Sequence, residues 1–262
     1  MRCGGTQRRS RRRYGYAVWA FGVVVLAACS RGRPAPLRIG MSPWPGNEFL
    51  FLAEARGFFA AEGVEVRLIE STSLGDLLRA FDRGEIDGMT GTLADVLESR
   101  DRTRRAPRAF MALGTSSGTD VILARAGVMT VGAWETIGDA PEELFDVVAL
   151  AADVLERRAR DAAAMVRAWD RTLAFAAENR AEADDCMARR RGMSVDGLRD
   201  ALAGIRMLTS REQRPLFAPG GPLEAAVEAM AAELRTSGRI HDGGAAADCL
   251  AQEPLARAGR RG

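Results

Sequence analysis

The sequence predicts an α/β fold, a mainly parallel sheet flanked by helices and followed by a helical C-terminal region. Three observations carry this prediction. Short apolar runs alternate with helix-length amphipathic stretches between Leu37 and Ala124. Beyond them stand one further apolar run and then long stretches with helical spacing. Of 262 residues, 47% are hydrophobic and 27% charged, which suits a globular protein and excludes general disorder.

Taken in order, Leu37 to Met41 is a short apolar strand. Asn47 to Arg56 places Leu50 and Ala53 at helical spacing and stops at Gly57. Val64 to Ile69 alternates Val64, Val66 and Leu68 with Glu65 and Arg67, the pattern of a strand. Ser73 is placed to cap a helix running through Leu77, Leu78 and Phe81 to Gly84. Ile86 to Thr90 reads as a strand, Thr92 to Arg100 as a helix, and Ala109 to Leu113 and Val121 to Ala124 as two more strands. Alternation of this kind implies mostly parallel pairing. Ligands of such sheets bind beyond the carboxyl ends of the strands, where helix N-termini present N–H groups. Phe145 to Leu150 is one more strand. Asp153 to Asn179 reads as a single long helix with Met165, Trp169 and Leu173 on its buried stripe. Ser194 to Ala203 and Leu223 to Thr236 are further helices, the second opening after Pro222 and ending near Gly238. The Ala/Arg/Gly-rich tail, 255–262, is expected to fray.

The first 28 residues read as a secretory leader. Arg8, Arg9, Arg11, Arg12 and Arg13 precede an apolar run from Tyr16 to Ala28, and Leu26-Ala27-Ala28-Cys29 follows the order of a lipoprotein cleavage site. On this reading Cys29 becomes the lipidated N-terminus, and 29–36 is a linker. The leader carries six Arg and no acid, so the remainder holds 31 basic against 35 acidic residues and is mildly acidic. That balance makes nucleic acid a poor partner. The cluster Arg100, Arg102, Arg104, Arg105 and Arg108 reads as a solvated connection.

Composition removes several chemistries. All 37 basic residues are Arg, so no lysine is present for a Schiff base, pyridoxal phosphate or a P-loop. With His241 the single histidine, neither a His-based metal centre nor a Ser–His pair is expected. No cofactor, metal or catalytic residue is assigned. Cys186 and Cys249 are either a disulfide or two unrelated thiols.

Three segments, LRIGMSPWPG (37–46), LAEARGFFAAEGVEVRLIE (52–70) and AFDRGEIDGMTGTLADVL (80–97), resemble the periplasmic solute-binding proteins of ABC importers. The resemblance is greatest to the nitrate/sulfonate/taurine and thiamine-precursor branch. SGTDVILARAG (117–127) is similar to that family's first interdomain crossing. FDVVAL (145–150) with DVLERRARDAAAMVRAW (153–169) is similar to the return crossing and its following helix. The resemblance implies one type II-like binding-protein lobe at 37–126, with the return strand and C-terminal helices at 145–254. It also implies a non-enzymatic function: capture of a small anionic or heteroaromatic solute for an inner-membrane ABC permease. The chain would be an exported monomer on the periplasmic or cell-surface side, touching the membrane through its lipid.

The chain departs from the family in one respect. About eighty residues forming a second lobe are expected between the crossings, yet only Gly127 to Leu144, eighteen residues, intervene. One strand–helix–strand unit needs about 30. The second lobe is therefore expected to be largely absent, with 127–144 its remnant. Two other readings stay open: a non-transporting or decayed lipoprotein, and an enzyme of the same fold such as a pyrimidine-precursor synthase. Export, one His and no Lys weigh against the enzyme.

The candidate binding residues lie at the strand ends. Trp44, Gly46 and Asn47 follow the first strand, where Gly46 and Asn47 are placed to offer backbone N–H groups, or simply form a turn. Thr90, Gly91 and Thr92 stand at the next strand–helix junction, with Thr92 also a helix cap. Ser117 and Asp120 flank the first crossing, where they read equally as turn residues around Gly118.

Overall fold

The computed structural model describes residues 34–116, 144–242 and 244–260. All elements below belong to the unit Pro36–Gly262. The N-terminal half alternates as its pattern requires. Strand β1 (Leu37–Met41) leads through a 3-10 turn at Pro45–Asn47 into α1 (Glu48–Ala55) and the short α2 (Phe58–Ala61). Next come β2 (Val66–Glu70), α3 (Leu74–Asp82), β3 (Gly88–Thr92), α4 (Leu93–Arg102) and β4 (Arg108–Ser116). Ser73 caps α3, its hydroxyl accepting from the Asp76 N–H at 3.1 Å. The predicted strand Val121–Ala124 lies outside the described residues.

Strand β5 (Leu144–Leu150) determines the topology. The sheet order is β2-β1-β3-β5-β4, and β6 (Ile205–Met207) adds to the far edge. β1 pairs parallel with β2 and β3. β5 pairs antiparallel with both β3 and β4, and β6 antiparallel with β4. The expected mainly parallel sheet is thus a mixed one. β1 to β4 share a direction, and β5, re-entering from 117–143 the opposite way, wedges between β3 and β4. Its run Val147–Leu150 is buried completely, which a strand achieves only with neighbours on both edges and cover on both faces.

The C-terminal half corrects three expectations. The predicted helix Asp153–Asn179 is broken at Arg158 into α5 (Ala152–Arg157) and α6 (Ala159–Glu178), Arg158 leaving helical geometry at φ −123°, ψ 29°. A helix not foreseen, α7 (Arg180–Arg191), follows Asn179, whose side chain donates to the Phe175 carbonyl at 3.2 Å. α8 (Val195–Leu202) and α10 (Pro222–Thr236) stand where predicted, with α9 (Ser210–Leu216) between them. The tail does not fray over Glu253–Ala258: these residues form α11, which docks on α6 with Leu255 and Ala258 buried.

Trp169 of α6 is fully buried, its indole N–H donating to the Leu208 carbonyl at 2.8 Å. The Gln213 amide donates to the same carbonyl at 2.8 Å and accepts from the Ala112 N–H at 3.0 Å. β4 carries register shifts at Ala109/Met111 and Ala112/Gly114, and β6 pairs only with Gly114–Ser116. Gln213 therefore supplies Ala112 with the acceptor that a longer β6 would have provided.

Candidate functional site

Because β1 to β4 run the same way, their carboxyl ends meet at one edge of the sheet, at Met41, Glu70, Thr92 and Ser116. β5 begins at that edge, placing Leu144 opposite Ser116 and Asp146 opposite both Thr92 and Gly114. The turn Pro45–Asn47 lies against β4 and α8. The edge thus gathers Trp44, Gly46, Asn47, Thr90, Gly91 and Thr92, as the sequence predicts. It adds Thr115 and Ser116, both buried, which the shorter predicted strand had not reached. Ser117, Asp120 and Cys29 lie outside the described residues.

Close contacts assign the two glycines to the protein's own side chains. A Cβ on Gly46 would stand 2.0 Å from the Trp44 ring, so glycine lets the half-buried indole seat on the turn. A Cβ on Gly91 would stand 2.9 Å from Asp95 Oδ2. That closeness serves a capping box: Asp95 Oδ2 accepts from the Thr92 N–H at 2.8 Å and from the Thr92 hydroxyl at 2.9 Å. The Asp95 N–H returns to Thr92 Oγ1 at 3.3 Å. At the other junction the Asn47 N–H donates to the Trp44 carbonyl at 3.0 Å, so it is not available to an incoming head group. This corrects the expectation for Asn47 and leaves Gly46 as the candidate backbone donor of that turn.

What Asn47 does present is an acceptor. Its Nδ2 donates to the Ser42 carbonyl at 2.8 Å, which fixes the amide orientation. The opposite atom, Oδ1, is buried with no partner among the described residues. Thr90, two residues before the end of β3, is also buried. Negative charge completes the picture: Asp95 caps α4, Glu48 occupies the first turn of α1, and Asp146 faces Thr92 across the sheet. A carboxylate in the first turn uses the same field that would attract an anionic ligand.

Four further residues were missed because α7 was not foreseen. Arg190 donates to Glu48 Oε1 and Glu70 Oε2, both at 2.7 Å, and Arg191 donates to Glu70 Oε1 at 2.8 Å. Burial pushes the Glu48 carboxyl above its usual range, with Arg190 and Arg191 pulling the other way. A cavity of about 310 Å³ lies beside this network, lined by Glu48, Phe51, Leu52, Cys186, Met187 and Arg190 among others.

No bond joins Cys186 to Cys249 in this structure. Cys186 packs on the small cluster around Leu52 and Met187, whereas Cys249 is buried in the main core. Burial raises the Cys249 thiol above its ordinary pKa, and it donates weakly to the Ala245 carbonyl at 3.6 Å.

Residues 30–125 match the model of the NMT1-like family. No curated protein sequence matches the chain. Among solved structures, a Candida albicans gene product described as having the generic periplasmic binding protein fold aligns with a TM-score of 0.61. The two share 11% identity over 84% of this chain and 97% of that one. The fold is that of the periplasmic binding proteins. A ligand-binding component of an ABC-type import system from Staphylococcus aureus, with zinc bound, has the same fold at TM-score 0.62 and 13% identity, covering 87% of this chain and all of that one. So does an alkanesulfonate-binding protein from Xanthomonas axonopodis bound to MOPS, at TM-score 0.57 and 11% identity over 84% and 99% of the two chains.

Proposed function

We propose that this chain is the solute-binding component of an ABC importer, exported and held at the membrane through lipid on Cys29, with the strand-end edge as its ligand site. The fold and the NMT1-like match at 30–125 support the class. The edge supports a choice of ligand within it. Its helix N-termini carry the protein's own Asp95 and Glu48, while Asn47 Oδ1 is a buried acceptor without a partner among the described residues, on the same turn as the half-buried Trp44. Acceptors beside an indole favour a flat, N–H-bearing solute, the heteroaromatic thiamine-precursor class, over nitrate or a sulfonate. The unpartnered Asn47 oxygen is the observation that carries this choice.

Affinity is set by how much of the solute is enclosed. Only 27 residues, 117–143, connect β4 to β5, fewer than a strand–helix–strand unit of about 30 requires. With one wall, the site leaves a bound solute partly hydrated. Submicromolar binding requires about 8 kcal/mol or more, which a single wall does not supply. Calorimetry with an aminopyrimidine, an alkanesulfonate and nitrate tests both points. The aminopyrimidine is expected to bind most tightly, weaker than micromolar, and Asn47→Leu to abolish it. A submicromolar constant for nitrate or a sulfonate would overturn the reading. Binding of none would favour the alternative, a lipoprotein that no longer transports, for which the short 117–143 connection also speaks.

A further inference from the structure

Away from the strand ends, α6 and α11 form a groove of the opposite electrostatic character. The guanidinium groups of Arg160, Arg167, Arg257 and Arg260 line a concavity of about 560 Å³ in which Glu253 is the one lining acid. Ala163 and Ala256 supply the remaining lining, and their short side chains keep it open. Two of the four cations are held internally: Arg167 donates to Glu62 Oε2 at 2.7 Å, and Arg257 to Glu253 Oε1 at 2.6 Å. The other two, Arg160 and Arg260, are exposed and have no carboxylate partner among the described residues. Further positive charge lies beside Arg260. A Cβ on Gly259 would stand 2.1 Å from an Arg214 nitrogen, so Arg214 packs on the backbone next to Arg260.

The positions of these cations sharpen the point. Arg257 stands in the last turn of α11, where the helix dipole favours a cation. Arg160 stands in the first turn of α6, where it does not. Arginine forks match the geometry of phosphate oxygens and bind them bidentately. We propose that this groove binds a phosphate-bearing anion, with Arg160 and Arg260 as its principal ligands and Arg167 and Arg257 setting its walls. Two sources carry that chemistry, a soluble phosphorylated molecule and an anionic phospholipid headgroup.

Two measurements on the full chain separate the sources. Inorganic pyrophosphate is titrated by calorimetry, and the protein is co-sedimented with phosphatidylcholine vesicles with and without phosphatidylglycerol. Each is repeated with Arg160→Gln/Arg260→Gln and with the charge-matched control Arg67→Gln/Arg104→Gln, at exposed positions outside the groove. All three proteins share the same N-terminal segment, so the comparison between them is the readout. Loss of two charge-assisted contacts is expected to weaken binding by about tenfold or more in the groove variant and not in the control. A difference in the pyrophosphate arm identifies a soluble ligand, and one confined to the vesicles identifies the headgroup; either supports the groove. Equal binding by wild type and groove variant in both arms, or an equal loss in the control, overturns it. Solute binding at the strand ends is expected to be the same in all three proteins, so the two sites stand or fall separately.

Discussion

The strand-end edge and the α6–α11 groove carry comparable numbers of charged groups and use them in opposite ways. At the edge, charge is turned inward: Asp95 caps α4 through Thr92, and Glu48 and Glu70 share Arg190 and Arg191. In the groove, Arg160 and Arg260 face solvent without partners among the described residues. The edge has the helix N-termini that commonly receive anions, yet its anions are already in place. Helix geometry alone therefore does not locate an anion site; the charge left unbalanced around it does.

The largest expected effect comes from breaking the inward network. Glu48 is almost completely buried, and Arg190 is its main partner, also stacked 3.1 Å over the Phe51 ring. Arg190→Ala leaves a buried carboxylate without its counter-ion, which costs about 3–5 kcal/mol in comparable cases. The lower end is expected here, since Arg191 Nε stays within 3.5 Å of Glu48 Oε1. The sign of the pH dependence follows from the raised carboxyl. A folded-state value above the unfolded one means that the folded protein holds the proton longer. Stability therefore falls as pH rises from the ordinary carboxylate range through the folded value. Removing Arg190 raises that value further and widens the window. Urea unfolding at acidic and neutral pH is expected to show a smaller loss at the acidic pH, and an equal loss at both would argue that Arg190 acts by packing on Phe51 alone.

How much of this was legible in the sequence varies along the chain for a physical reason. The strands and helices from Leu37 to Arg102 bury one face against a sheet, and periodicity reads such a face directly. α7 buries Ala183, Asp184, Met187 and Ala188 within a helix otherwise dominated by charge, so its stripe carries almost no hydrophobic signal. The helix α9 was not foreseen; it opens on a capping box of Thr209 and Glu212 and holds Pro215 inside it. The rule for strand ends pointed to one edge of the sheet, and six of the candidate residues gather there. What residue types alone did not reveal was who uses each group. That Gly46 and Gly91 admit Trp44 and Asp95 depends on distances of 2.0 and 2.9 Å, which no spacing encodes. In the network of Glu48, Glu70, Arg190 and Arg191, Arg190 and Glu48 stand 142 positions apart.

A second, intermediate effect would convert the edge toward the character of the groove. Asp95→Asn keeps an oxygen for the Thr92 N–H and removes the charge at the start of α4. Its charge–dipole contribution is about 0.3–1 kcal/mol, so a stability loss of that order is expected. The same change uncovers the helix N-terminus, and nitrate or sulfonate affinity is expected to rise by about two- to fivefold. Calorimetry on wild type and variant checks this. A fall in anion affinity would mean that Asp95 organises the site rather than screening it.

The smallest effect tests the groove without any ligand. Arg160→Gln and Arg260→Gln remove exposed charges that hold no partner among the described residues, so no buried group is stranded by either change. Surface substitutions of this kind shift stability by about 0.5 kcal/mol or less. The sign here is expected to be stabilising, because the double change relieves repulsion with Arg167 and Arg257 and removes a cation from the first turn of α6. The gain should be visible at low ionic strength and vanish as salt shortens the screening length to a few ångströms at about 1 M. Pyrophosphate is expected to reverse the ranking: a ligand that binds only the folded wild type raises its stability by mass action and leaves the double variant unmoved. Urea midpoints at low and high salt, with and without pyrophosphate, carry the test. A loss of more than about 1 kcal/mol in the ligand-free double variant would place these arginines among the structural groups of the fold, as the edge's own arginines already are.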